Sequence, residues 1–152
     1  MPGVHVPFRL VDVLTPRPLA GNQLCVVPEP IEIDDATMQA IAKEIGFSET
    51  TFVTASEADR YAMRIFTPGM ELPFAGHPTL GTAFILSGPL QSDEIRLETG
   101  MGMVPVRLER DDSGRVVFGR MEQPLPAIEP YPDEEELLDI LGIERSELPI
   151  EL

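Results

Sequence analysis

A chain of 152 residues can bury the core of one domain, and its 43% hydrophobic and 24% charged residues form an ordinary globular balance that argues against intrinsic disorder. Its 26 acidic and 11 basic residues give a net charge of −15, which disfavours nucleic acid and anionic membrane surfaces as partners. No apolar run approaches the roughly 20 residues that span a bilayer.

The expected compartment is the cytoplasm. The segment from Met1 to His5 has neither the charged nor the apolar region of a secretory signal. Cys25 has no second cysteine in the chain with which to pair, which is typical of proteins in a reducing environment.

The first half of the chain predicts short strands and one helix. Residues 34–45 place apolar side chains at helical spacing, with Asp34 as the N-cap and Gly46 as the end of the helix. Two β-rich runs around a polar turn predict a hairpin, Thr50–Thr54 with Tyr61–Phe66. Two more strands are predicted at Val4–Val13 and Leu24–Val27.

The next segment predicts a helix that is apolar on all sides. Phe74–Leu86 is uncharged apart from its histidine, and Pro78 favours the first position of a helix that runs to Leu86. Such a helix must be buried. Alternating or β-rich segments then predict three more strands, at Glu94–Thr99, Met103–Arg110 and Arg115–Met121. The expected fold is therefore α+β, an antiparallel sheet that covers one buried helix.

The end of the chain differs in composition. Glu122–Leu152 carries ten acidic residues and one basic residue, Arg145, and five prolines. We expect a domain at 1–122 and an acidic, Pro-rich tail or linker at 123–152, with a short amphipathic helix at Asp133–Leu141. The tail is either a solvated linker with a surface helix or a tether toward a second module.

Several common chemistries have no support in the sequence. The two His and one Cys lack metal-ligand spacing, so no metal is expected. No Gly-rich phosphate-binding motif occurs. Cys25 lies in an apolar run, which favours a buried small side chain over a nucleophile.

Glu49 is one candidate for proton transfer. It lies between the helix that ends near Gly46 and an apolar strand, beside Phe47 and Phe52. Partial desolvation there would raise the pKa of the carboxyl and suit it to shuttle a proton near neutral pH. The alternative is a surface carboxylate in a connecting turn.

A second candidate site lies at the start of the apolar helix. The amides around Gly76, His77 and Thr79 would lie at its positive end, which favours an anion such as a substrate carboxylate. His77 could donate a hydrogen bond or relay a proton. The alternative is a capped core helix whose histidine is satisfied by its neighbours.

These two segments also carry a family resemblance. Ser48–Val53 reads S-E-T-T-F-V, and Glu71–Ala83 reads E-L-P-F-A-G-H-P-T-L-G-T-A. Together with four further segments in the same order, they resemble the first half of the phenazine-biosynthesis isomerase (PhzF-like) family, relatives of diaminopimelate epimerase. The four segments are Val11–Thr15, Ala20–Asn22 with Val26 and Val27, Met38–Glu44 and Arg64–Pro68. The resemblance covers about Val4–Met121 well and the acidic tail loosely.

The resemblance implies a fold, a site and a reaction. The fold is the diaminopimelate epimerase type, in which each of two halves is a curved sheet around a central helix and the active site lies between the halves. It implies that Glu49 is the proton shuttle and that Gly76 and His77 bind and polarise a small anionic substrate without metal or organic cofactor. The motifs also contribute the candidate substrate-binding residues Ser48, Pro78 and Thr79.

The chain departs from the family pattern in two ways. Gln23 stands where the family usually has Pro, and the motif E-D-P-x-T-G-S-A of the second half has no counterpart. Three interpretations follow: half of an isomerase completed by another chain, a pair of identical chains in which each supplies one wall of the cleft, or a degenerate half that acts as a binding or oligomerisation module.

Overall fold

The computed structural model describes residues 5–88, 92–123 and 125–144. Within these ranges the chain forms eight strands and three helices. In chain order they are β1 (Arg9–Val13), β2 (Asn22–Val27), α1 (Asp35–Ile45), β3 (Glu49–Glu57), β4 (Arg60–Phe66), β5 (Glu71–Leu72), α2 (Gly76–Ser87), β6 (Glu94–Thr99), β7 (Gly102–Arg110), β8 (Val116–Met121) and α3 (Glu134–Leu141).

The strands form one mixed sheet that is mostly antiparallel. Seven strands follow the order β1-β2-β3-β4-β6-β7-β8, and β5 pairs with β4 beside this path. Only β2 with β3 and β4 with β6 are parallel among the described pairings. A parallel pair needs a crossover connection, and α1 and α2 provide these two crossovers.

Helix α2 is the centre of the fold. It contacts β1 and β2 at one end of the strand order and β6, β7 and β8 at the other, so the sheet curls around it. A Cβ atom at Gly81 would lie 2.6 Å from Cγ2 of Val13 and 2.7 Å from Cδ2 of Leu24, so the absence of a side chain there allows the close packing. The predicted buried helix inside a curved sheet is confirmed.

Local signals positioned helix α1 as predicted. The side chain of Asp34 accepts a hydrogen bond of 2.8 Å from the N–H of Thr37, and this bond lowers the pKa of the Asp34 carboxyl. Gly46 ends the helix in the left-handed conformation at φ 71° and donates its N–H to the carbonyl of Ala42. Glu49 is thereby placed four residues beyond the end of the helix, at the first position of β3.

Several elements differ from the sequence prediction. Strand β1 begins at Arg9, helix α2 begins two residues before Pro78, and the short strand β5 was not predicted. The hairpin strands β3 and β4 are longer than predicted because their pairing continues to Glu57 and Arg60. The proposed strand start at Val4 and the tail beyond Glu144 lie outside the described residues.

The acidic end forms the predicted short helix, α3, whose N-cap Asp133 accepts from the N–H of Glu136. None of the described residues between 122 and 144 is buried. No helix in the described ranges is long and apolar enough to cross a membrane.

One buried hydrogen bond ties α2 to the sheet. The hydroxyls of Thr51 on β3 and Thr82 on α2 are 2.8 Å apart, and both residues are fully buried. We expect Thr82→Val to lower the free energy of unfolding by about 1–3 kcal/mol, because it leaves the Thr51 hydroxyl buried without this partner.

Urea unfolding of both single variants and of the pair Thr51→Val with Thr82→Val tests this expectation. The double variant removes both polar groups while keeping their shape, so its loss should be smaller than the sum of the single losses. Strictly additive losses would contradict the pairing.

Candidate active site

Glu49 and His77 meet at the first turn of the central helix. Glu49 is the first residue of β3, and His77 is in the first turn of α2. The atom Oε2 of Glu49 lies 3.2 Å from Nε2 of His77. The two predicted candidate segments, which are 28 positions apart in the sequence, therefore form one site.

Both side chains are largely shielded from solvent yet incompletely satisfied. The side chain of Glu49 is 16% exposed and that of His77 is 12% exposed. Oε2 and Nε2 are each buried, and despite their proximity neither makes a hydrogen bond of good geometry. Buried polar atoms without such a bond are rare in folded proteins and are often found where a ligand binds.

The start of α2 offers free backbone donors next to this pair. The N-cap residue, Ala75, provides no side-chain cap, so the N–H groups of Gly76 and His77 have no partner inside the helix. The positive end of the helix dipole adds to their attraction for an anion. The backbone thus supports an anion site at these two amides.

Thr79 and Pro78 offer no free backbone N–H, although the sequence predicted a free amide at Thr79. Both the N–H and the hydroxyl of Thr79 donate to the carbonyl of Ala75, at 3.3 Å and 2.8 Å, and Thr79 is fully buried. Pro78 is also buried and has no N–H. The earlier helix start explains the difference, because it brings Thr79 into the regular hydrogen-bonding pattern.

Asn22 is a member of this site that sequence reasoning missed. Its Nδ2 lies 3.2 Å from Nδ1 of His77, and its Oδ1 accepts a hydrogen bond of 3.4 Å from the hydroxyl of Ser48. Asn22 follows Gly21, and by itself this Gly-Asn pair indicates only a turn before a strand. Its place in the Ala20–Asn22 segment was the one signal that could have marked it.

Gly21 is required for the approach of Asn22. A Cβ atom at Gly21 would lie 2.5 Å from the carbonyl oxygen of Val13 and 2.5 Å from Cγ2 of Thr15. The backbone can therefore turn directly into β2, whose first residue, Asn22, is paired with Val13.

A separate apolar groove lies between the two ends of the curled sheet. It has a volume of about 410 Å³ and is lined by β1 with the loop that follows it, by Leu80, Gly81 and Phe84 of α2, and by residues 117–119 of β8. Large apolar side chains at its rim are exposed, including Leu14 at 73% and Phe118 at 50%. Neither Glu49 nor His77 lines the groove.

Cys25 is buried in β2, and burial raises the pKa of its thiol to about 11. Because little thiolate forms near neutral pH, alkylation of Cys25 should be slow in the folded chain. At about pH 8, we expect the folded chain to react with iodoacetamide roughly a hundredfold more slowly than the unfolded chain. Mass spectrometry of time points with and without denaturant measures this ratio. Equal rates would show that the thiol is accessible.

No group of three or more His, Cys, Asp or Glu side chains that could hold a metal ion occurs within the described ranges. The groups that the site does present are one carboxylate, one imidazole, one side-chain amide, one hydroxyl and two free backbone N–H groups. Such a set can bind an anionic group and exchange a proton with it.

The chain matches the family model described as phenazine biosynthesis-like protein over residues 11–152. It is 44% identical over 146 residues to a trans-2,3-dihydro-3-hydroxyanthranilate isomerase of Pseudomonas aeruginosa, which covers 95% of this chain and 52% of that protein. It is 35% identical over 136 residues to an uncharacterized isomerase of Bacillus subtilis, with 87% and 46% covered.

The structural comparisons agree with the sequence comparisons. A phenazine biosynthesis protein of the PhzF family from Bacillus anthracis superposes with a TM-score of 0.71 and 34% identity over 90% of this chain and 47% of that chain. A probable proline racemase of Agrobacterium radiobacter superposes with a TM-score of 0.54 at 18% identity, which shows a common fold, over 76% of this chain and 41% of that chain. The fold is of the diaminopimelate epimerase type, and the chain spans about half the length of the curated relatives it matches.

Proposed function

The chain belongs to the phenazine biosynthesis-like protein family, and we propose that it is one half of an isomerase that moves a proton between carbon atoms of a small carboxylate-bearing substrate. The observation that carries this proposal is the contact of 3.2 Å between Glu49 and His77, whose facing atoms are buried and lack well-formed hydrogen bonds. The homologous isomerases and epimerases give the reaction class.

Glu49 is the proposed acid/base. Its Oε2 has no hydrogen bond of good geometry that would have to be broken before it accepts a proton from carbon. The same carboxyl can then return the proton to another carbon of the bound molecule. A positioned acid/base of this kind contributes roughly 10²–10⁴-fold to a rate, and the step uses only protein groups.

The start of α2 is the proposed anchor for the substrate. The free N–H groups of Gly76 and His77 would hold its carboxylate, and the imidazole of His77 would polarise it. Ser48 extends the polar rim of the site, and Pro78 and Thr79 shape the first turn of the helix around it.

We propose that a second polypeptide, or a second copy of this chain, supplies the opposite wall. Glu49, His77 and Asn22 all lie on one curled sheet and its central helix, and the relatives are about twice as long. The apolar groove with its exposed rim supports a covering partner, because large bare apolar patches are rare on proteins that remain monomeric. The unpaired thiol of Cys25 supports the cytoplasm as the compartment.

The second candidate function is a non-catalytic module that binds or assembles through the same face. The observation that favours it is that none of the described residues in 122–123 and 125–144 is buried, as expected of a tether. The two candidates differ in one respect that can be measured, which is proton exchange at carbon.

Two measurements test the proposal on the protein purified under native conditions. The first is native mass beside denatured mass, which shows whether a second chain or a second copy is present. The second is deuterium incorporation at carbon from D2O, with trans-2,3-dihydro-3-hydroxyanthranilate as the first substrate because a relative of this chain carries its name. Exchange catalysed by an assembly supports the isomerase. A monomer without exchange on this compound or on other small carboxylates favours the binding module.

A further inference from the structure

We propose that Asn22 is a positioning residue that holds the imidazole of His77 with its proton on Nε2, so that His77 acts as a hydrogen-bond donor beside Glu49 and not as a proton relay. The inference assigns a role within the site of the proposed function and rests on that function for its catalytic meaning. Its structural part concerns one proton on one ring and can be tested without activity.

The first step concerns the donor. Nδ2 of Asn22 lies 3.2 Å from Nδ1 of His77. A side-chain amide nitrogen donates hydrogen bonds and cannot accept them. A ring nitrogen that receives this bond must be unprotonated, so a neutral His77 carries its proton on Nε2.

The second step excludes the opposite orientation of the amide. If Oδ1 of Asn22 faced the ring, Nδ1 would carry the proton, and an unprotonated Nε2 would face Oε2 of Glu49 at 3.2 Å. With Glu49 ionised, as it must be to accept a proton from carbon, two acceptors would then oppose each other in a site that is largely closed to solvent. The observed orientation avoids this conflict, and the hydroxyl of Ser48 donates to the amide oxygen at 3.4 Å.

The third step concerns the reaction. A histidine relays a proton by releasing it from one nitrogen while it takes up another at the second nitrogen. The amide of Asn22 occupies Nδ1 with a hydrogen-bond donor that is too weak an acid to transfer its proton. The proton that Glu49 accepts is therefore kept on Glu49, and the Nε2–H of His77 is free to donate to an oxygen of the substrate.

Asn22 is held for this role by the backbone. Asn22 is the first residue of β2 and is paired with Val13 of β1. The preceding residue, Gly21, lets the backbone pass close to Val13 and Thr15. The next side chain, Gln23, points to the other face of the strand because side chains alternate along β structure. Gln23 therefore offers a matched control.

The experiment is nuclear magnetic resonance of the chain labelled in its histidine nitrogens, recorded at a pH where the imidazoles are neutral. The chain has only two histidines, so His77 and His5 are readily told apart with the variant His5→Gln. We expect His77 to have its proton on Nε2. A predominant proton on Nδ1 in the unaltered chain would overturn the proposal.

Asn22→Asp replaces the donor by an acceptor of nearly the same shape, and Gln23→Glu makes the same chemical change one residue away. We expect Asn22→Asp to move a proton onto Nδ1 of His77 and Gln23→Glu to leave the ring unchanged. The proposal would also be overturned if the Asn22→Asp variant kept its His77 proton on Nε2 alone while its amide spectrum showed that it is folded. Failure of the proposed isomerase would show instead as absent deuterium exchange in the unaltered protein, while the position of the ring proton could still be measured.

Discussion

Replacing Glu49 by Gln is expected to lower the rate of deuterium exchange at carbon by roughly 10²–10⁴-fold, the usual contribution of a general acid/base. Gln has nearly the shape of Glu and keeps an acceptor oxygen that can face Nε2 of His77, which lies 3.2 Å from Oε2 in the unaltered site. It cannot accept and return a proton at neutral pH. The loss should therefore appear in kcat while KM for the substrate changes little.

The matched control is Glu44→Gln, on the last turn of α1, where the side chain is exposed. It removes one negative charge from the same region without touching the site, so its exchange rate should equal that of the unaltered protein. Both variants are assayed in the native assembly at equal protein concentration. Full activity in Glu49→Gln would show that another group carries the proton, and equal losses in both variants would indicate an effect of charge alone.

Phe52→Ala is expected to be more destabilising than Thr82→Val, with a loss of about 3–5 kcal/mol in the free energy of unfolding. Phe52 is fully buried in β3, within an apolar cluster that includes Met38 and Phe66. Its ring packs edge to face against that of Phe66 with centroids 5.6 Å apart. Truncation removes this packing and leaves a cavity between α1 and the sheet.

Phe118→Ala is the control for the size of the residue. Phe118 is 50% exposed at the rim of the groove, and its ring contacts the guanidinium of Arg120. We expect this variant to lose less than about 1 kcal/mol. Urea unfolding of both variants compares the two losses. Similar losses would show that Phe52 is not in the closely packed core described above.

Stability and assembly can be separated with the same pair of variants. If a partner covers the groove, Phe118→Ala should weaken the native assembly although it leaves the isolated chain stable. Phe52 does not line the groove, so its effect on assembly should follow only from lost stability. Native mass at several protein concentrations distinguishes these effects.

Much of the fold could be predicted because the signals that decide it are local. Asp34 and Gly46 bound helix α1 through hydrogen bonds to residues within four positions, so the sequence alone could place both ends. The uncharged surface of α2 required burial, and alternating side chains marked β6 over the same residues that the structure shows. Strand β5 could not be predicted, because it has only two residues and exists through its pairing with β4, which no local pattern marks.

The candidate site could likewise be predicted only where its signals are local. The motif around Glu49 and the one around His77 could be found in the sequence, because each carries its own chemistry within a few residues. The sequence also determined the fold class, the central buried helix and the excess of negative charge. Only the tertiary structure decided that Oε2 of Glu49 meets Nε2 of His77, and that Asn22, 55 positions from His77, reaches the other nitrogen of the same ring. Contacts of this kind depend on how the sheet curls around α2 and on the close approach that Gly21 and Gly81 allow. The curl and the close approach arise from packing between distant segments, and short-range sequence patterns do not encode such packing.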